Sequence, residues 1–194
     1  HSIRRGLRIA LLDMLLDTPI CDFGWKAPEF ALPDLAGNTV SMSEQLGNNG
    51  LLLAFICNHC PYVKAIAERL TEDAKLLQSE GINVVAIMSN DYHAYPADSP
   101  VNMRKFAEQY NFSFPYLVDE TQQVGRQYGA ICTPDFFGFN KTGELQYRGR
   151  LDDAKMTDAS SRQPELVEAM RLIAKTDHGP QNQVPSMGCS IKWR

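Results

Sequence analysis

The most constraining feature of the sequence is an apolar run that ends in two closely spaced cysteines. Residues 51–56 read Leu-Leu-Leu-Ala-Phe-Ile and are followed at once by Cys57-Asn-His-Cys60-Pro61. A continuous apolar run of this length predicts a strand that is covered on both faces. Proline is favoured in the first turn of a helix. The stretch therefore predicts a buried strand that passes directly into a helix, with a Cys-x-x-Cys pair at the junction.

The remaining chain alternates between strand and helix patterns. In chain order the patterns predict strand 51–56, helix 61–80, strand 82–89, helix 101–110, strand 114–119, helix 121–129, a hairpin over 133–150 that turns at 141–143, and helix 163–176. Buried strands that are joined by helices imply an α/β domain of three layers with parallel strand pairs. The hairpin adds an antiparallel edge, so we expect one domain over residues 19–176 with a central mixed sheet flanked by helices.

The two ends of the chain are expected to lie outside this domain. Ile3, Leu7, Leu11 and Met14 repeat at helical spacing. This spacing predicts an amphipathic helix over residues 1–18, packed on the domain or on a second subunit of a homodimer. Residues 177–194 contain Gly, Pro and Gln with little periodicity, and are expected to form a C-terminal tail.

Composition narrows the class of protein. The net charge is −4 and no run of Lys or Arg occurs, which argues against a nucleic-acid surface. No apolar run approaches the ~18 residues that a membrane span requires. An odd count of five cysteines with one tight pair is unlike an exported disulfide scaffold. These features favour the cytoplasm, although the chain begins at His1 and an exported form stays open.

The Cys-x-x-Cys pair suits thiol chemistry. A helix N-terminus carries unpaired N–H groups and a partial positive charge, and these stabilise a thiolate. We expect Cys57 to carry the lowered pKa, a protonated His59 to stabilise its thiolate, and Cys60 to act as the resolving partner. This chemistry requires no cofactor. Metal binding is an alternative, but zinc usually takes four ligands, so Cys132 or Cys189 would have to complete a site with Cys57 and Cys60.

Further motifs resemble one family. The sequence APEFALPDLAGNTVSMSEQL, followed by CNHCPYV, CTPDFFGFN, YRGRLDD and PSMGCSIKW, is similar to the peroxiredoxin-like branch of the alkyl hydroperoxide reductase/thiol-specific antioxidant (redoxin) group. The resemblance implies a thioredoxin-like sandwich in which Thr133-Pro134 carries a cis peptide bond, faces the cysteine pair and binds the substrate backbone. True peroxiredoxins carry Thr at the position of Cys57, and true thioredoxins carry a Trp and a buried Asp that this chain lacks.

The favoured interpretation is a thiol–disulfide oxidoreductase that uses Cys57, His59 and Cys60. Its expected partners are a protein or small-molecule disulfide or dithiol and an unidentified electron donor. The alternatives are a peroxiredoxin-like thiol peroxidase, in which Cys60 or Cys57 is oxidised by a hydroperoxide, and the metal-binding module. Cys132 and Cys189 are either auxiliary redox thiols or packed structural cysteines.

Overall fold

The structure is a computed structural model that describes residues 15–154 and 156–194. The strands are β1 (Leu15–Asp17), β2 (Ala31–Pro33), β3 (Thr39–Ser41), β4 (Leu51–Phe55), β5 (Asn83–Met88), β6 (Tyr116–Val118), β7 (Cys132–Thr133), β8 (Asp135–Phe139), β9 (Leu145–Tyr147) and β10 (Met187–Ser190). The helices are α1 (Met42–Gln45), α2 (Pro61–Ser79), α3 (Pro100–Gln109), α4 (Gln123–Tyr128) and α5 (Glu165–Thr176), with a 3₁₀ turn at Pro96–Asp98.

A five-stranded mixed sheet with the order β6-β5-β4-β8-β9 forms the middle layer. The pairs β4–β5 and β5–β6 are parallel, whereas β4–β8 and β8–β9 are antiparallel. Every residue of β4 is fully buried, as expected for a continuous apolar strand at the centre of a sheet. Successive side chains of a strand point to opposite faces, so this one strand contributes to two cores.

Each of the two cores lies between the central sheet and one outer layer of the fold. Leu52 and Ala54 pack with apolar residues of α2, α3 and α5 on one face. Leu51, Leu53 and Phe55 pack on the other face with residues of α4 and of the β2–β3 hairpin. The predicted three-layer α/β sandwich with a central mixed sheet is confirmed, as are its core strands and helices to within a few residues. No helix in the described ranges has the length and hydropathy of a membrane span.

The chain ends differ from their predicted form. Residues 1–14 of the predicted N-terminal helix lie outside the described residues, and Leu15–Asp17 form strand β1 instead of its last turn. The predicted irregular tail contains β10, which pairs antiparallel with β1 on one side and with β7 on the other. Both segments are strands because each supplies the other with backbone hydrogen bonds, a long-range pairing that local periodicity does not reveal. The domain limits at residues 18 and 176 stay a prediction.

Candidate active site

The junction between β4 and α2 places the two cysteines. The backbone N–H of Ile56 donates to Ile87, which keeps the chain alongside β5 until it turns. Cys60 is the N-cap residue of α2 and Pro61 is the first helical residue, as predicted. The carbonyl of Cys60 accepts from the N–H groups of Val63 and Lys64, which closes the first turn. Cys57 and Cys60 are reduced thiols, and both are almost completely buried.

Thr133 lies against both sulfurs. Sγ of Cys57 is 3.4 Å from the Thr133 hydroxyl oxygen, and Sγ of Cys60 is 3.3 Å from the Thr133 carbonyl oxygen. The Thr133-Pro134 peptide bond is cis, which confirms what the family resemblance implied. Thr133, at the end of β7, therefore forms one side of the site and contacts both thiols.

His59 faces a buried carboxylate on the other side of the pair. Its Nδ1 lies 2.5 Å from Oδ2 of Asp98, whose side chain is fully buried, whereas the His59 side chain is 30% exposed. The ring nitrogen and the carboxylate oxygen are at hydrogen-bond distance, and the contact is an ion pair when the imidazole is protonated. The backbone N–H of Asn58 donates to Oδ1 of Asp98 at 2.8 Å, and Nδ2 of Asn90 donates to Oδ2 at 3.0 Å.

Asp98 is the functional residue that sequence reasoning missed. It comes from the 3₁₀ turn in the loop after β5, a strand that runs parallel to β4. The carboxyl ends of neighbouring parallel strands meet at one edge of a sheet, which is where α/β proteins place their sites. An acidic residue in the loop after β5 was therefore a candidate from the topology alone, although the fold of the loop that aims it at His59 was not predictable.

The surroundings of the two thiols favour a thiolate at Cys60 over one at Cys57. A hydrogen bond from Cys57, joined by hydrogen bonds from Thr133 and from the backbone N–H groups of Val63 and Cys189, lowers the pKa of Cys60 to about 5. The pKa of Cys57 lies well above its usual range because its proton is held by Cys60, and burial and the Asp98 carboxylate act in the same direction. In this geometry the backbone donors converge on Cys60 rather than on Cys57, the residue that was expected to carry the lowered pKa.

His59 and Asp98 stabilise each other's charged forms. The interaction with Asp98 raises the pKa of His59, although partial burial opposes it. Burial by itself would raise the pKa of Asp98, but the contacts from His59, Asn90 and Asn58 outweigh it and lower the pKa. The site therefore holds a fixed negative charge next to Cys57 and a positive charge that is partly open to solvent.

The remaining cysteines differ in their surroundings. Cys189 is on β10 opposite Thr133, and its backbone N–H reaches Sγ of Cys60. Cys132 is fully buried on β7, and burial raises its pKa far above the usual range. Cys21 is half-buried outside the site, and burial raises its pKa to about 11. Of the two auxiliary candidates, only Cys189 has a contact with the Cys57–Cys60 pair that favours a thiolate.

The site also contains a set of metal-binding atom types. The side chains of Cys57, His59 and Asp98 bring one sulfur, one nitrogen and one oxygen within 4.8 Å of one another. The metal site considered from the sequence used Cys57, Cys60 and His59, with Cys132 or Cys189 to complete it, and Asp98 was not among its ligands.

A family comparison covers most of the sheet and the whole cysteine pair. Residues 23–148 match the AhpC/TSA family model, which is more than half of the 194 residues. The chain belongs to the AhpC/TSA family. The family resemblance that the sequence motifs carried is thus confirmed, with the Cys-x-x-Cys pair in place of the peroxiredoxin Thr-x-x-Cys.

Several solved structures share its fold. A crystal structure of an uncharacterized conserved protein from Geobacillus kaustophilus superimposes with a TM-score of 0.88 at 39% identity, and the match covers 93% of this chain and 97% of that one. A hypothetical protein from Sinorhizobium meliloti gives a TM-score of 0.86 at 38% identity over 92% of this chain and 97% of that one. The expected thioredoxin-like fold is confirmed by a further neighbour, the thioredoxin domain of a thiol-disulfide oxidoreductase from Bacteroides vulgatus, with a TM-score of 0.56 at 16% identity over 65% of this chain and 86% of that one.

Two curated relatives of this protein have activities in their names. This chain is 27% identical to the thiol-disulfide oxidoreductase ResA of Geobacillus thermodenitrificans, over 63% of this chain and 66% of that protein. It is 29% identical to the peroxiredoxin Bcp of Escherichia coli, over 58% of this chain and 67% of that protein. The matched region thus spans about two thirds of the length of these relatives. Both are oxidoreductases, which is the predicted class of enzyme.

Proposed function

We propose that the protein is a thiol–disulfide oxidoreductase whose redox centre is the Cys57–Cys60 pair. The observation that carries this proposal is that both sulfurs contact Thr133 at the junction of β4 and α2, so the two thiols can form one disulfide with little movement. The substrate is a protein or small-molecule disulfide or dithiol. The name of the ResA relative supports the same chemistry.

Cys60 is the first thiolate, and Cys57 is the resolving thiol. The Cys60 thiolate attacks one sulfur of a substrate disulfide, so that a Cys60–substrate bond forms and the other substrate sulfur leaves as a thiolate that takes up a proton from solvent. Cys57 then loses its proton and attacks Cys60, which releases the second substrate thiolate. The substrate has gained two electrons and the pair has lost two, and an external dithiol donor restores the pair.

His59 and Asp98 act as positioning residues for this exchange. Asp98 favours the charged form of the imidazole, and its carboxylate disfavours a negative charge on Cys57. The N–H of Asn58, the residue next to Cys57, is held by the same carboxylate at 2.8 Å. One buried residue, Asp98, therefore influences both the charge and the position of Cys57.

A cavity beside the Thr133-Pro134 loop suits the side chain of a substrate. It has a volume of about 230 Å³ and is lined in part by Tyr62, Ile66, Pro134, Phe136 and Met187. Its walls are mainly apolar, and Tyr62 comes from the first turn of α2, two residues after Cys60. Thr133 and Pro134 are accordingly the proposed substrate-binding residues, with an apolar group next to the substrate cysteine as the preferred feature.

Cys189 is proposed as an auxiliary redox thiol, whereas Cys132 is proposed as a packed structural cysteine. The backbone of Cys189 reaches the sulfur of Cys60, and its side chain is partly exposed. The side chain of Cys132 is buried, and its Sγ faces the carbonyl oxygen of Pro134 at 3.9 Å. Burial opposes the formation of a thiolate at Cys132.

A thiol peroxidase is the second candidate, and one observation favours it. The lowered pKa falls on Cys60, the residue of the Cys-Pro step that peroxiredoxins share by resemblance. The relative Bcp is named a peroxiredoxin. Against it, Arg148 donates to both carboxylate oxygens of Asp135 at 3.3 and 2.8 Å, so this guanidinium, which lies close to the loop, is already engaged.

The cellular setting is proposed from the same chemistry. The cytoplasm is the proposed compartment because an odd number of thiols with one tight pair is unlike a disulfide-stabilised exported domain. A soluble dithiol protein is the proposed class of electron donor, and a homodimer is the proposed assembly. Fractionation of cells that make the full-length chain and light scattering of the purified protein test the compartment and the assembly.

Single cysteine variants test the exchange and the roles of the two thiols. Each of Cys57→Ser and Cys60→Ser is mixed with a small aromatic disulfide, and the adduct is identified by mass spectrometry. Cys57→Ser should form a stable mixed disulfide at Cys60, while Cys60→Ser should react on the order of 10-fold or more slowly near pH 6, because its remaining thiol is protonated. The reverse pattern would return the attacking role to Cys57. If neither variant forms an adduct, the exchange activity itself is refuted.

A further inference from the structure

We propose that the reduced protein binds one Zn²⁺ ion through Sγ of Cys57, Nδ1 of His59 and a carboxylate oxygen of Asp98, with the fourth position open to water. These three ligand atoms lie within 4.8 Å of one another and come from two loops at the same edge of the sheet. Thiolate, imidazole and carboxylate are the three side-chain groups that zinc takes in proteins.

A small movement of the ligand groups would make room for the ion. Ligand atoms on one tetrahedral zinc are roughly 3.4–3.6 Å apart, given zinc–ligand bonds of about 2.0–2.3 Å. The present contact between His59 and Asp98 is 2.5 Å, so these groups need to separate by only about 1 Å.

The outer contacts of a metal site are already present. The two oxygens of Asp98 accept from the backbone N–H of Asn58 and from Nδ2 of Asn90, which fixes the carboxylate. The Tyr116 hydroxyl donates to the side chain of Asn58 at 2.8 Å. Such outer-shell hydrogen bonds orient the ligands of metal sites. The partly exposed His59 gives an ion a route from solvent.

Zinc would oppose oxidation of the pair, and this consequence rests on the proposed function. Zinc coordination withdraws electron density from the Cys57 sulfur and so lowers its nucleophilicity, and the oxidised pair offers no thiolate ligand. Binding therefore selects the reduced form by mass action. It releases the proton of the Cys57 thiol and, where the imidazole is protonated, the proton on Nδ1 of His59. An open fourth position distinguishes this site from a closed structural zinc site.

Cobalt is the probe that tests the site. Co²⁺ is titrated anaerobically into the reduced full-length protein, and absorption is recorded for thiolate–cobalt charge transfer and for the visible bands of a tetrahedral site, followed by displacement with Zn²⁺. One ion per chain is expected, and Asp98→Asn and His59→Asn should each weaken binding by more than the ~10- to 100-fold cost of losing an outer-shell partner. Cys21→Ser, outside the site, should bind like the parent protein.

Wild-type protein with an oxidised pair is the second arm and needs no substitution. It should give no thiolate–cobalt band. Equal binding by the oxidised and reduced forms would overturn the proposal, and so would unchanged affinity in folded Asp98→Asn and His59→Asn. Disulfide exchange is measured separately in the presence of a chelator. Cobalt binding without exchange would support the metal site and refute the proposed function. Exchange without cobalt binding would support the proposed function and refute the metal site.

Discussion

Cys189 lies directly opposite Thr133 in the pairing of β10 with β7, and its backbone N–H donates to the sulfur of Cys60. The C-terminal strand thus occupies the edge of β7 that leads into the Thr133-Pro134 loop. The sulfurs beneath it are buried, with Cys57 at 1% and Cys60 at 0% exposure. We therefore expect movement of β10 to make these thiols more accessible to a substrate disulfide.

Gly188 is a position in β10 at which an added side chain would disturb the pairing with β7. A Cβ atom at Gly188 would press directly on the backbone carbonyl of Thr133. Gly188→Ala should therefore loosen β10, since overpacking costs about 1–3 kcal/mol and each 1.4 kcal/mol is about tenfold in an opening equilibrium. Alkylation of Cys57 and Cys60 by iodoacetamide, measured at fixed pH, should become on the order of 10-fold faster.

The control for this experiment is Gln181→Ala, which changes an exposed side chain of the same C-terminal segment outside the cavity. It should leave the alkylation rate unchanged. If Gly188→Ala reacts no faster than this control while its far-ultraviolet circular dichroism is normal, β10 does not limit access.

The Thr133 hydroxyl stabilises the thiolate of the pair. It contacts Cys57 at 3.4 Å and helps to lower the pKa of Cys60. Thr133→Val keeps the shape but removes the donor, so the pKa of Cys60 should rise and alkylation near pH 6 should slow several-fold, because only the thiolate reacts. Thr133→Ser, which retains a hydroxyl, should behave like the parent protein. An unchanged pH profile of thiolate absorbance in Thr133→Val would contradict this role.

Local signals explain why half of the site was predictable. The apolar run, the Cys-x-x-Cys spacing and Pro61 together predicted the junction of β4 and α2, and each depends only on its near neighbours. Asp98 depends on the path of the loop after β5, and its role follows from being aimed at His59. Charge placement of this kind arises from tertiary structure, so the sequence alone could not supply it.

The predicted tail failed for a related reason. Met187–Ser190 is a short segment with glycine and serine, which has low strand propensity, and only its pairing with β1 and β7 makes it a strand. One of the donors that lowers the pKa of Cys60 comes from this strand, so its effect on the thiols was not predictable either.

The ion pair of His59 with Asp98 makes stability depend on pH. Asp98 raises the pKa of His59 above its unfolded value of about 6.5. The contribution is therefore fully present below about pH 6.5 and is lost as the pH rises through the folded pKa. On the acid side, Asp98 has a lowered pKa, so its contribution is lost only as the pH falls below the usual aspartate range.

Replacement of the imidazole tests this dependence. The parent protein should exceed His59→Gln in free energy of unfolding by up to about 1 kcal/mol near pH 6, and by less near pH 9. Urea denaturation at the two pH values, with His93→Gln as a control on an exposed histidine, gives both differences. A difference between parent and His59→Gln that grows with pH would contradict the assigned ion pair.

Cys189 should capture an oxidised Cys60 when Cys57 is absent. In Cys57→Ser, hydrogen peroxide converts the Cys60 thiolate to a sulfenic acid and releases hydroxide. The Cys189 thiol then condenses with that sulfenic acid to form a disulfide and water, since its backbone already touches the Cys60 sulfur. Peptide mapping should find the Cys60–Cys189 link in Cys57→Ser and in Cys57→Ser/Cys132→Ser, and should not find it in Cys57→Ser/Cys189→Ser. A link from Cys60 to Cys132 instead would reverse the roles proposed for the two auxiliary cysteines.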